Sequence, residues 1–315
     1  MNFAPYFDAA LPLPGIALED SRYRRIDDVP YRAFSGLNAS LLKAPTAANA
    51  LHDLTVPREP SGALALGTVL HAAVLEPWKL APDAWQTHFV ECPTSGLNTK
   101  AAKACQAENP GKTMITPEIL NDARACAQAI VWNDEAQRWL NPEGGRHLEA
   151  SGLVFDRMRF GCWRKIRVDL LPRTANYMLD VKTTSRALGD FVGECWKFGY
   201  FLQAAWYLDT HKILTGIHLD YFVFVAVTTE APFLSRVFIC PNLKPGDPLY
   251  ADSTLAKARA RLGLDDKEQL GRVPVILNSM RQTIAAGEAG TELTPGRLRT
   301  LWPGYEDETP AFTIL

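Results

Sequence analysis

A chain of 315 residues, 47% hydrophobic and 22% charged, has room for one large domain or two smaller ones and the make-up of an ordinary soluble globular protein. Its net charge of −2 supplies no global basic field, so a nucleic-acid partner would need positive charge gathered locally. No run of about 18 apolar residues marks a membrane span, and the start, Met1-Asn2-Phe3-Ala4-Pro5, lacks a secretory signature. Six scattered cysteines without a Cys-x-x-Cys pair argue against zinc, an iron–sulfur cluster and a disulfide framework, and point to reduced thiols in the cytoplasm.

Residues 1–30, rich in proline and charge, read as an irregular arm, and residues 31–145 as a helical part. Leu37-Asn38-Ala39-Ser40 opens a helix that runs to about Leu54, and Ser61 to Glu76 forms a second, stopped by Pro77. Gly67 precedes His71 by four residues and shares its helix face, where it would let another backbone come close beneath the imidazole. His71 is either a core histidine satisfied by one hydrogen bond or an imidazole that reaches a metal or a phosphate. Residues 80–115 give no clear pattern. Thr116-Pro117-Glu118 starts a helix to about Leu140, and Asn141-Pro142-Glu143-Gly144-Gly145 is a seam.

A mixed core follows over residues 146–290. His147 to Phe155 and Met158 to Leu171 read as paired strands around Asp156-Arg157. Glu149 is an exposed strand residue or a third carboxylate at a metal. Arg157, Arg159, Arg164, Lys165 and Arg167 lie within eleven positions, the densest basic patch of the chain. It suits a phosphate backbone, or a solvated sheet face. Arg164 to Leu171 and Met178 to Thr184 read as the strands of one hairpin. Side chains two apart share a strand face, so Asp169 goes with Lys165 and Arg167, and Asp180 with Lys182. If these faces coincide, two carboxylates and an ammonium converge. Two such carboxylates repel unless a cation lies between them, and magnesium or manganese accepts oxygen ligands of this kind. The alternative is a surface hairpin of alternating charge. Leu188 to Lys197 and Phe201 to Leu214 are helices broken at Gly199, the second carrying Gln203 and Tyr207 on one face. That pair could hold a water and a phosphate oxygen, or merely pack at an interface. Strands at Leu219 to Val227 and Phe233 to Ile239, charged helices over about 249–287 and a tail over 291–315 with Trp302-Pro303-Gly304-Tyr305 complete the chain.

Taken in order, Leu-Asn-Ala-Ser-Leu-Leu-Lys, the block Ala-Leu-Gly-Thr-Val-Leu-His-Ala-Ala-Val-Leu-Glu-Pro, Asp-Val-Lys-Thr-Thr, Phe-Gly-Tyr-Phe-Leu-Gln-Ala-Ala-Trp-Tyr and Trp-Pro-Gly-Tyr resemble the exonuclease VIII (RecE)-like nucleases. These belong to the RecB-like branch of the PD-(D/E)xK superfamily. Asp169 follows Val168 where the superfamily's name has proline. The resemblance implies an α/β fold, a restriction-endonuclease-like core with a central mixed β-sheet flanked by helices and added N-terminal helices. It also implies a magnesium-dependent 5′-to-3′ exonuclease on linear double-stranded DNA ends, with manganese as substitute. By the same carry-over His71, Asp169, Asp180 and the carbonyl of Val181 hold metal, with Glu149 helping a second ion. Lys182 positions or activates the attacking water, and Gln203 and Tyr207 support the site. Arg159, Arg164, Lys165, Arg167, Thr183 and Thr184 are the expected DNA contacts. Expected partners are a RecT-like single-strand annealing protein and further copies of the chain in a trimeric or tetrameric ring, in a bacterial host's cytoplasm and away from membrane. Two alternatives stay open: an endonuclease or CRISPR-adaptation-type nuclease on the same core, and a non-catalytic DNA-binding module.

Overall fold

A computed structural model describes residues 2–19, 21–54, 61–265 and 271–289. The chain opens with a 3-10 turn at Ala4–Phe7, strands β1 (Ile16–Ala17) and β2 (Arg24–Arg25), and helices α1 (Asp28–Ala33), α2 (Ala39–Lys43), α3 (Ala47–Asp53) and α4 (Gly62–Leu75). A 3-10 turn at Pro77–Leu80 leads into α5 (Pro82–His88), β3 (Phe89–Glu91), α6 (Lys100–Glu108) and β4 (Thr113–Ile115), then α7 (Pro117–Val131) and α8 (Asp134–Leu140). The long strands β5 (Arg146–Asp156), β6 (Cys162–Pro172) and β7 (Tyr177–Thr184) follow. Helices α9 (Phe191–Lys197) and α10 (Tyr200–Thr215) cross over to β8 (Tyr221–Thr228) and β9 (Ser235–Pro241), and α11 (Thr254–Leu262) and α12 (Arg272–Glu288) come last.

Side-chain caps set many of these boundaries. Asn38, Thr46, Ser61, Thr116 and Asn133 each accept a hydrogen bond from a backbone N–H two or three residues into the following helix. Two caps split helices expected to be continuous: Thr46, after Pro45, starts α3, and Asn133 starts α8. Gly199, at φ 67°, makes the expected break between α9 and α10.

Seven strands form one mixed sheet in the order β1-β2-β5-β6-β7-β8-β9, antiparallel except for the parallel pair β7–β8; β3 and β4 pair separately. The residues expected as an irregular arm supply the β1–β2 edge. They are held by buried Tyr23, whose hydroxyl meets His211 Nδ1 at 2.9 Å, and by Trp163 Nε1 donating to the Asp8 carbonyl. Helices cover both faces. Ile166, Val168, Met178, Phe222 and Phe224 pack with α2, α3, α10, α11 and α12, while Leu170, Leu179, Val181, Val223 and Val225 pack with α4, α7 and α8. The helical N-terminal part and the sheet therefore share one core.

Strand β6 changes phase at Asp169. Val168 belongs to the first core and Leu170 to the second, although residues two apart on a regular strand share a face. Glu149, which falls opposite Asp169 in the β5–β6 register, has φ 49° and drops out of the ladder. It is the one non-glycine residue with positive φ among the described residues, a strained conformation. At its start β6 bonds to the backbone of Leu37, and it meets β7 only at Leu170–Leu179. The two strands part between these points, and polar groups fill the gap.

Candidate metal and nuclease site

The parting of β6 and β7 replaces ladder bonds by side chains. Asp169 Oδ2 accepts the backbone N–H of Val181 at 2.9 Å. From α4, His71 Nε2 lies 2.9 Å from the Val181 carbonyl and 3.4 Å from Asp169 Oδ2. Its Nδ1 is 3.9 Å from Glu149 Oε1. One ligand atom each from His71, Glu149 and Asp169 falls within 4.8 Å of the others. The phase change at Asp169 and the positive φ of Glu149 are what aim two neighbouring strands' carboxylates at one imidazole.

Asp180 stands just outside this trio. Its Oδ1 accepts from Gln203 Nε2 at 2.7 Å, and its Oδ2 forms an ion pair with Lys182. Asp180 Oδ2 is itself buried, and among the described residues the Lys182 ammonium is the group that faces it. The electrostatics show how closely these charges are coupled. Burial, then the neighbouring Asp180 carboxylate, pushes the Asp169 pKa up to about 7. Burial pulls the His71 pKa down, but Asp169 and Glu149 more than offset it and hold the imidazolium up to about 10. Burial likewise works against the Lys182 ammonium, and Asp180 and Asp169 outweigh it, so its pKa rises. Three carboxylates, an imidazole and a main-chain carbonyl around one gap are a donor set that fits a hard divalent ion.

His71, Glu149, Asp169, Asp180, Val181, Lys182 and Gln203 thus lie close together. Tyr207 packs its ring 6.3 Å from that of Phe222, and its hydroxyl bonds to the Arg167 backbone rather than to a site carboxylate. Two groups were missed. Lys43, at the end of α2, donates to Gln203 Oε1 and so turns the amide's NH2 toward Asp180. The Tyr200 ring lies beneath both cations, 5.0 Å from Lys43 Nζ and 5.1 Å from Lys182 Nζ. A Cβ on Gly199 would come within 2.7 Å of Lys43 Cγ, so this glycine also makes room for the lysine.

Much of the expected basic patch is turned into the fold. Arg164 is fully buried: it donates to Asp156 and Asp209 and lies 4.3 Å over the Trp206 ring. Lys165 gives its ammonium to the carbonyls of Tyr31, Arg32 and Phe34. Burial, then Arg167 and Arg32, brings its pKa down to about 8. Arg159 is held by Asp209 and the Leu264 carbonyl, and the Thr184 hydroxyl donates to buried Glu194. Strand alternation misleads here because both faces of β6 are covered, so its cations are absorbed by partners on the neighbouring strand and far off in the chain. Arg167 bonds to Asp28 yet still lines, with Thr183, a cleft of about 2100 Å³ that also takes in His71, Glu149, Val181 and Lys182. Arg25 and Arg173 line it too, both exposed and without a charged partner among the described residues. The Trp-Pro-Gly-Tyr segment lies outside the described residues. No helix among the described residues is long and apolar enough to cross a membrane.

No curated protein matches this sequence. Among solved structures, the chain resembles one described as a candidate exonuclease from Eubacterium rectale, at a TM-score of 0.53 and 14% identity over 82% of this chain and 87% of that one. The structure of SSO0001 overlaps 64% of this chain and 88% of its own at 12% identity, with a TM-score of 0.25, too loosely to carry an argument. The first of these shows a shared fold, the restriction-endonuclease-like α/β core. A family model matches residues 33–243, the span from before Lys43 to beyond Gln203, and the chain belongs to that family, the PDDEXK-like domain of unknown function (DUF3799).

Proposed function

We propose that the chain is a magnesium-dependent exonuclease that degrades linear double-stranded DNA from 5′ to 3′ and leaves 3′ single strands for phage-type recombination. The observation that carries this reading is the meeting of His71, Glu149 and Asp169 within 4.8 Å, beside the buried Asp180–Lys182 ion pair. His71, Glu149, Asp169, Asp180 and the Val181 carbonyl would hold magnesium, or manganese in its place. A divalent ion there would supply Lewis acidity toward a phosphate oxygen and lower the pKa of a bound water. Lys182, held protonated by Asp180 and Asp169, donates N–H bonds that position the attacking water and offset charge developing on the phosphate. Gln203 fixes the Asp180 carboxylate. In place of the absorbed patch, Arg25, Arg167 and Arg173 in the cleft contact phosphates.

The Eubacterium rectale neighbour's description and the resemblance of the sequence motifs favour an exonuclease over an endonuclease. The motif resemblance alone carries the further reading of a RecT-like annealing protein as partner, a trimeric or tetrameric ring, and action in the host cytoplasm. The test is digestion of a linear duplex labelled at either 5′ end beside a covalently closed circle, by wild type and Lys182→Ala in magnesium. Release of 5′ nucleotides from the linear DNA alone, lost in Lys182→Ala, supports the proposal. Nicking of the circle moves the assignment to an endonuclease. DNA binding without cleavage of either substrate makes the chain a binding module.

A further inference from the structure

Gly67 sits in the middle of α4, where glycine weakens a helix, and no described residue fills the space it frees. A Cβ at this position would meet no atom of the described residues within 4 Å, and its φ is not positive. Among the described residues neither close packing of another backbone nor a left-handed turn explains it, and none of them supplies the backbone expected beneath the imidazole. The position lines the cleft one turn before His71 on the same face. Residues 62–75 contain no Asp, Glu, Lys or Arg, although they border a cleft rich in charge. Leu64 and Trp78, 54% and 53% exposed, stand in the same cleft before and after that face. Apolar groups held open to water are unfavourable, but they match the sugar and base faces of a nucleic-acid strand.

We propose that the substrate strand runs along α4 with its sugars and bases against the helix, and that Gly67 is the point of closest approach. Leu64 and His71 are seven residues apart, about 10 Å along a helix axis, the length of about three nucleotides stacked at ~3.4 Å. Phosphates then face Arg25 and Arg173. This deepens the nuclease reading above and rests on it.

The test compares full-length wild type, Gly67→Ala and Gly67→Leu by thermal midpoint, by Mn2+ binding followed by electron paramagnetic resonance, and by KM and kcat on a linear duplex. Gly67→Ala should melt about 2 °C higher, because alanine favours the helix. It should bind Mn2+ as wild type does and raise KM about tenfold with little change in kcat, the mark of lost binding. Gly67→Leu should keep its metal and lose DNA. Trp78→Ala should weaken binding of a single-stranded oligothymidine about tenfold. A Gly67→Ala or Gly67→Leu protein that keeps fold, Mn2+ affinity and wild-type KM overturns the proposal and leaves the nuclease reading standing. A wild-type protein that binds no DNA with Mn2+ present overturns both.

Discussion

Two clusters of buried charge lie close together in this fold and behave in opposite ways. Around Arg164, three arginines meet three aspartates: Arg164 holds Asp156 at 2.6 Å and Asp209 at 2.7 Å, Arg159 and Arg259 reach Asp209 at 3.1 and 3.2 Å, and Arg259 also holds Asp265. Burial works against the Asp209 carboxylate, yet Arg164, Arg159 and Arg259 outweigh it and its pKa falls. Five residues further along β6, Asp169 is just as hidden, and its pKa rises to about 7 through burial and Asp180. The first cluster is closed: its charges are matched and its oxygens bonded. The second is open, with three carboxylates facing one ammonium and an imidazole. A closed cluster fixes the fold. An open one leaves oxygen lone pairs of the kind a hard cation accepts.

The sharpest way to break this contrast is the same substitution in both clusters. Asp169→Asn should lower metal-dependent cleavage by about 10³, while the metal-free protein melts no lower than wild type. A carboxylate with a raised pKa costs stability at every pH above its ordinary range, and the amide removes that cost. Loss of cleavage with an unchanged or higher melting temperature is the measurement. Asp209→Asn should do the reverse. It leaves Arg164 short of a partner and costs about 3 kcal/mol in a denaturant titration, with cleavage per folded molecule unchanged. If Asp209→Asn is as stable as wild type, the closed cluster is not structural.

Metal binding should follow pH. His71 keeps its proton up to about 10 and Asp169 up to about 7, and both must lose it to act as ligands. Mn2+ affinity should therefore rise with pH, by up to about a hundredfold per unit below 7 and up to about tenfold per unit from 7 toward 10. The stability that protonated His71 gives the metal-free fold has the opposite slope. It is fully present below the ordinary histidine pKa and is lost as pH rises through about 10. Calorimetry in two buffers of different ionisation enthalpy counts the released protons, and a pH-independent affinity would remove His71 from the ligand set. The smallest effect belongs to Lys43. Lys43→Met should free the Gln203 amide and weaken Mn2+ binding about tenfold, with Lys43→Arg restoring most of it. Equal affinity in all three proteins would show that the amide needs no outside support.

Much of the site was legible because its signals are local. The spacing of Asp169, Asp180 and Lys182 on a hairpin and the helix face of His71 follow from periods of two and four residues, and the break before α10 from Gly199 itself. Lys43 was not legible because its bond to Gln203 spans 160 residues. Arg164 and Lys165 were misread for a related reason. Alternation along a strand separates two faces but does not say that both are covered, and Asp209 and the Phe34 carbonyl, which absorb these cations, lie far off in the chain. Helix ends at Thr46 and Asn133 were foreseeable from their capping side chains. The phase change at Asp169 had no signal, since it is the bend at Glu149 on the neighbouring strand that accompanies it.

Val181 touches both halves of the open cluster at once, its N–H on Asp169 and its carbonyl on His71. This makes one aliphatic residue a built-in spectroscopic probe. In a protein labelled at valine, the Val181 amide resonance follows the charge on Asp169, and its carbonyl carbon follows what stands at His71. Loading and emptying of the site can then be watched from two nuclei of a single residue, with no side chain of the site altered.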